Sequence, residues 1–456
     1  MSYIWTTLNL VTKGFSWNVR EMLRHIFTTF LVTLSIIVSG CDRNRKTETI
    51  GAGSIEKVHN INDQLLANAG NGRNLNTYDQ VCETVSEKFF DPEFNGVDWE
   101  ELCSENRSQA ADAKSRAELA ALLNTMLAKL KTSHTAFYTP DDKYYYLLFD
   151  VFGHNLNLDP HRKRLFGHQD VSFEGIGVFT VRFDDETYIS SIVEGSPASA
   201  ADIKVGDIIL AVDDSVFHPI RSFLGKSGQT VDLKVRSTLY EPARNVKVLV
   251  ERLSPSKLFQ NAMKNSARII ETEGVKIGYI HIWSSAGQEY EDILGEVIQA
   301  GPLSQADAII VDMRGKIGGG GLNYLNVLNQ HSLNLTVKGR GFSVDQTASF
   351  KGKTVWIIDK SVRSSAELLA YAIRKDGFGP MIGERTAGAV TGGSPSLMAD
   401  DGLLYVAVAD LWVDGVRLEG KGVEPDIFVQ YPIPYSAGID PQFNRALEEA
   451  IKLVSP

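Results

Sequence analysis

The chain is poor in the residues that build metal and redox centres. It has three cysteines in 456 residues, and none sits in a CxxC or Cys/His cluster, so nothing suggests zinc. Positive charge is also short. Lys and Arg number 46 against 56 Asp and Glu, a formal net charge of −10. That balance argues against a general nucleic-acid binder, which needs a basic surface. The apolar run near the N-terminus, Ile26–Val38, is too short for a comfortable membrane span. Glycines cluster at Gly318–Gly321 after a β-type run, yet neither GxGxxG nor GxxxxGK[ST] spacing is present, which argues against nucleotide binding. What remains, 43% hydrophobic and 22% charged, is ordinary folded protein, of a length that suggests about two to four domains.

Residues 1–41 read as an export leader. Arg24 and His25 precede the short apolar run, and Met22 is a candidate start. Val38-Ser39-Gly40-Cys41 resembles a bacterial lipobox, whose cysteine is lipidated and becomes the mature N-terminus. Cys41 is then a membrane anchor, and Asp42 resembles an inner-membrane retention signal. Residues 42–55 are polar and read as a tether. In an oxidising compartment Cys82 and Cys103 could pair; two unpaired thiols remain the alternative.

Residues 56–138 read as a helical domain. Tyr78, Val81, Val85 and Phe89 recur at helical spacing, a second helix covers Asp98–Ser108, and a leucine-rich stripe predicts a third over Ala117–Leu130. The stripe ends at Ser133-His134, where a histidine can serve a helix C-terminus or a reaction. Residues 139–172, rich in Tyr and Phe, read as a connecting segment. From 173 to 252 short β-type runs alternate with turns. Gly175-Ile176-Gly177-Val178 and the stretch ISSIVEGSPASAADIKVGDIILAVDD resemble a PDZ domain. Such a glycine loop implies N–H groups that hold a peptide's C-terminal carboxylate, beside an edge that accepts the peptide as a strand.

Residues 253–456 read as an α/β unit. Within it Val355–Ile358 predicts a buried strand, and Ser364-Ser365-Ala366-Glu367 opens an amphipathic helix. A hydroxyl at that junction is poised as a nucleophile, because first-turn N–H groups favour a developing oxyanion. Ser364-x-x-Glu367 also fits a capping box.

In this order DMRGKIGG, SSAE, GERTAG and GVEPD resemble the C-terminal (tail-specific) processing peptidase family of serine proteases, over about residues 75–430. The resemblance implies a multidomain α+β and α/β protein: an N-terminal helical domain, a PDZ β-barrel-like domain and a C-terminal α/β (crotonase-like ββα) peptidase domain. One branch of the family uses a Ser/Lys dyad. Ala389 stands at the lysine position here, so that mechanism is ruled out. The tricorn-like branch uses Ser, His and Glu, and the matching positions are Ser364, His134 and Glu419. Ser133 then steadies Glu419, and Ser365, Gly318 and Gly319 supply oxyanion N–H groups. Ser365 is the fallback nucleophile. Glu384 and Glu367 are rival acids, with Glu367 assigned to capping. Lys316 replaces the usual Asn of the glycine loop. The implied partners are polypeptides presented at Gly175, Ile176, Gly177 and Val178, and a membrane at Cys41, with no cofactor or metal required. Two other functions stay open: a non-catalytic binder of apolar ligands on the same fold, and a PDZ adaptor.

Overall fold

The computed structural model describes residues 70–153, 158–319, 334–339, 342–347 and 352–455. The leader with Cys41, the tether and the start of the helical domain lie outside the described residues.

Three helices come first: α1 (Gly70–Lys88), α2 (Trp99–Asp112) and α3 (Arg116–Ala128). The second runs four residues past its expected end, and the third stops two short of it. A Cys82–Cys103 disulfide joins α1 to α2, with Cα atoms 6.2 Å apart. Leu119, Leu123 and Met126 of α3 lie on one buried face, the three-and-four spacing of an amphipathic helix. That face packs on more than its own domain. Strand β1 (Ala136–Tyr138) leaves the helical unit and pairs antiparallel with a distant strand, Phe137 opposite Leu404. Asn124 of α3 bonds both the N–H and the C=O of Phe137, each at 2.8 Å. The boundary expected at 138 is therefore stitched across.

The connecting segment is structured. It holds α4 (Lys143–Phe152) and α5 (Asp159–Phe166), whose Tyr145, Tyr146 and Phe149 form a buried aromatic cluster with Phe173 and Leu253. Next come β2 (Phe173–Gly175), β3 (Val178–Phe183), β4 (Glu186–Ile192), β5 (Ile208–Val212), β6 (Thr230–Arg236), β7 (Arg244–Leu249) and β8 (Glu251–Leu253). Strands β3 to β7 form one five-stranded antiparallel sheet in sequence order, around a core of Ile189, Val231, Leu233 and Val248.

The C-terminal unit follows: α6 (Pro255–Ser266), β9 (Arg268–Thr272), β10 (Val275–His281), α7 (Gln288–Gln299), β11 (Ala308–Asp312), β12 (Asn334–Gly339), β13 (Phe342–Thr347), β14 (Lys353–Ile358), α8 (Ser365–Asp376), β15 (Met381–Gly383), β16 (Gly392–Leu397), β17 (Leu403–Ala409), β18 (Trp412–Val413), β19 (Val416–Arg417), β20 (Ile427–Phe428) and α9 (Pro441–Val454). Its main sheet has the order β20-β15-β14-β11-β10-β9, parallel from β10 to β20, with β9 antiparallel at the edge. Strand β14 shows why its sequence is continuously apolar. Trp356 and Ile358 face the core with α6, α7 and α8, whereas Val355 and Ile357 face α9. A strand covered on both sides needs apolar residues at every position. Strand β17 pairs with β1 and β16, and the N–H of Phe90 reaches the C=O of Ala407 at 3.1 Å. These contacts carry the helical unit, and His134 with it, onto the C-terminal unit.

Candidate active site

Parallel sheets offer ligands the crevice at the carboxyl ends of their strands. Two such ends matter here. Strand β11 leads into the glycine loop, and β14 leads into Ser364 and α8. Ser364 adopts φ 60°, ψ −135°, a left-handed backbone that costs a side-chain-bearing residue about 1–3 kcal/mol. Two contacts hold it there. Its N–H donates to the C=O of Ala389 at 2.8 Å, and its own C=O accepts from the N–H of Glu367 at 2.9 Å. The Ser364 hydroxyl makes no capping bond to the helix, which removes the capping-box alternative. It lines a cleft instead.

That cleft encloses about 560 Å³ of empty space, its open mouth included, and is lined by Ser364, His134, Gly318, Gly319, Arg363 and an apolar wall. The wall comes from α4 (Tyr144, Leu147, Leu148, Val151, Phe152), with Tyr138, Ile317 and Tyr405. No hydrogen bond joins Ser364 to His134. His134 sits six residues past the end of α3 with φ 55°, buried and 5.5 Å from the Tyr405 ring. It therefore does not serve the helix terminus.

Glu419 reaches His134 through an intermediary. The Ser133 hydroxyl donates to Glu419 Oε2 at 2.9 Å and lies 2.8 Å from His134 Nδ1. With that proton committed to Glu419, the Ser133 oxygen accepts from Nδ1–H, which leaves Nε2 as the unprotonated nitrogen. The Glu419 carboxylate also accepts from the N–H groups of Ser133, Val390 and Thr391, at 2.8, 2.6 and 3.2 Å. Thr391 was not singled out from sequence. Its hydroxyl lies 2.9 Å from that of Ser133 and 3.3 Å from His134 Nδ1. Burial, then the Arg363 charge, pull the His134 pKa down to about 4 against the opposing pull of Glu419, so the imidazole is neutral at pH 7.

Glu367 does not cap its helix. Its buried carboxylate accepts from the Thr386 hydroxyl (2.5 Å) and the N–H groups of Gly388 and Ala389 (2.7 Å each). The acid turns inward because loop 386–389 offers three donors. Burial pushes its pKa up. The carboxylate fixes Ala389, whose C=O fixes Ser364, so Glu367 is a positioning residue. Glu384 forms no bond to His134.

Of the expected oxyanion donors, Gly318 and Gly319 line the cleft at φ +87° and +85°. A Cβ on Gly318 would lie 2.7 Å from the Ser364 Cβ, so only glycine lets the loop approach this closely. Ser365 opens α8 beside them. Lys316 is buried, which lowers its amine to about 7, and its C=O accepts from the Arg363 N–H at 3.3 Å.

The glycine loop Gly175–Val178 is wholly buried. The C=O groups of Ile176 and Gly177 accept from Ala198 and Val193, and Lys143 of α4 donates to the C=O of Val178. Phe179 stacks on Trp283 with centroids 5.5 Å apart.

A serine on a strained strand-to-helix turn, in one cleft with a histidine that a carboxylate supports, is the arrangement of a serine peptidase. Residues 276–429 match the model of peptidase family S41, residues 75–128 that of the tricorn protease C1 domain and residues 165–236 that of the PDZ domain. Similar proteins include the putative tricorn protease homolog 2 of Streptomyces coelicolor, 26% identical over 408 residues, 83% of this chain and 32% of that one. A carboxyl-terminal-processing protease of Picosynechococcus is 25% identical over 394 residues, 81% of this chain and 87% of that one. The crystal structure of the tricorn protease aligns with a TM-score of 0.48 at 20% identity, covering 84% of this chain and 37% of that one. The chain thus spans about a third of the length of the Streptomyces relatives.

Proposed function

We propose that this protein is an exported serine endopeptidase of the C-terminal-processing, tricorn-like kind, acting on extended or C-terminal segments of polypeptides. The observation that carries the reading is the hydrogen-bonded series Glu419–Ser133–His134, which ends in the cleft that Ser364 lines. Ser364 Oγ attacks the scissile carbonyl carbon while His134 Nε2 takes the hydroxyl proton. The growing charge on the imidazole is supported through Nδ1–H, the Ser133 hydroxyl and Glu419. N–H groups of Gly318, Gly319 and Ser365 hold the oxyanion. Collapse expels the amine, which leaves with the proton from His134, and water then hydrolyses the acyl-enzyme by the same route. The PDZ resemblance supports delivery of a substrate C-terminus, which requires the buried loop Gly175–Val178 to open first. The Cys82–Cys103 disulfide suits an oxidising compartment, and Cys41 carries a lipid anchor.

The test is fluorophosphonate labelling of the purified protein beside Ser364→Ala, His134→Ala and Glu419→Ala. Labelling should map to Ser364 and vanish in the first two variants. A folded protein that takes up no label, with PDZ peptides supplied, would favour a ligand-binding or adaptor role instead.

A further inference from the structure

The cleft beside Ser364 carries one permanent charge among its described lining residues, and it is a cation. Arg363 is half-buried, with its guanidinium 6.0 Å from the centre of the Tyr144 ring. Its backbone is clamped. The N–H donates to the C=O of Lys316 at 3.3 Å, and the C=O accepts from the N–H of Ala366 at 3.2 Å. The side chain thus springs from the turn that fixes the nucleophile, one Cα–Cα step of about 3.8 Å away.

The guanidinium forms no salt bridge among the described residues. The nearby acids are committed elsewhere, Glu419 to Ser133, Val390 and Thr391, and Glu367 to loop 386–389. A planar set of donors facing a largely apolar wall is a receptor for a carboxylate, which it can grip with two parallel hydrogen bonds. Its charge also reaches His134, where, after burial, it is the strongest influence keeping the imidazole neutral. A bound carboxylate would offset that influence.

We propose that Arg363 is the specificity residue of this cleft, pairing with a substrate carboxylate next to the scissile bond. Its effect on turnover rests on the peptidase reading; its effect on binding does not. The carboxylate comes from an acidic side chain or from a free chain end, and matched peptides separate the two.

The experiment measures binding of fluorescent peptides to the full chain carrying Ser364→Ala, by anisotropy. The peptides hold Glu, Gln or Lys at the variable position, with free or amidated C-termini. Glu peptides should bind at least tenfold more tightly than Gln peptides, a difference of about 1.4 kcal/mol. If the tenfold follows the free C-terminus instead and is lost with Arg363→Met, the chain end is the source, since a preference held by the PDZ domain would survive that change. Adding Arg363→Met should bring whichever ratio Arg363 sets to within twofold. Arg363→Lys should keep part of the preference, and Arg363→Glu should turn it toward Lys peptides. Unfolding would also flatten the ratios, so the Arg363→Met result counts only with the parent's melting temperature and Gln-peptide affinity retained, whereas the reversal by Arg363→Glu is one that unfolding cannot produce. Ratios near one with Arg363 intact, or ratios unmoved by Arg363→Met, overturn the proposal. Preserved ratios without cleavage by the unsubstituted enzyme would sink the peptidase reading and leave Arg363 as the carboxylate receptor.

Discussion

At the scale of single residues, the informative atom is the Ser133 hydroxyl. It lies 2.8 Å from His134 Nδ1 and donates to Glu419 at 2.9 Å, so in the proposed triad Glu419 supports His134 at second hand. Ser133→Ala should therefore harm turnover more than substrate binding. The expected loss in kcat is about 10²-fold, the low end of what a positioned proton acceptor contributes, with KM nearly unchanged. Steady-state kinetics on a cleaved peptide decides it. A kcat within threefold of the parent would mean that Thr391, 3.3 Å from the same nitrogen, can carry the support alone. Ser364, His134 and Glu419 could be named as candidates because the resemblance to the tail-specific peptidases implies those positions. Arg363 and Thr391 could not, since their importance arises only when segments far apart in sequence meet. Glu367 was misread for a physical reason. Its spacing from Ser364 fits a capping box, but a buried carboxylate follows the donors it can reach, and loop 386–389 supplies them.

At the scale of elements, the helical unit has to deliver His134 across a domain boundary. Helix amphipathicity gave α2 and α3 to within four residues and caught the second half of α1, and β-type runs gave about half of the strands. Periodicity could not reveal that β1 crosses to β17, because strand pairing is a long-range choice. Nor did it show helix in the aromatic segment, where α4 forms one wall of the cleft and places Lys143 on the edge of β3. The delivery depends on α1 and α2 holding their places, which the Cys82–Cys103 disulfide enforces over a sequence separation of 21. A loop of that size constrains the unfolded chain by roughly 3 kcal/mol. The double variant Cys82→Ser, Cys103→Ser should lose about that much in denaturant unfolding. The parent treated with reductant should fall to the same midpoint. An unchanged midpoint on reduction would show that the pairing contributes nothing.

At the scale of the whole molecule, the PDZ and peptidase units meet through a buried charge. Glu194, just past β4, lies 2.7 Å from His281 Nδ1 and accepts from Trp283 Nε1 at 2.7 Å. His281 Nε2 donates to the C=O of Arg314 at 2.7 Å, in the loop that continues to Gly318. Burial opposes a charge on His281, but Glu194 and then Asp312 outweigh it and raise the pKa to about 9. Between 6.5 and 9 the folded protein therefore holds a proton that the unfolded chain has released. The resulting stability is fully present below 6.5 and lost as pH rises through 9. Lys143 and Lys316 have the opposite sign. Burial lowers them to about 8 and about 7, so their contribution grows with pH above neutrality. The parent's own pH profile mixes these effects, and the difference between two proteins isolates one. Glu194→Gln removes the partner that keeps His281 charged, so it should destabilise the protein most near pH 6.5. The gap in melting temperature should then narrow by pH 9.5, where the parent has also lost the pair, while the lysine contributions cancel in the subtraction. A gap that stays constant over that range would show that the Glu194 contact works as a neutral hydrogen bond, with no charged pair joining the two units.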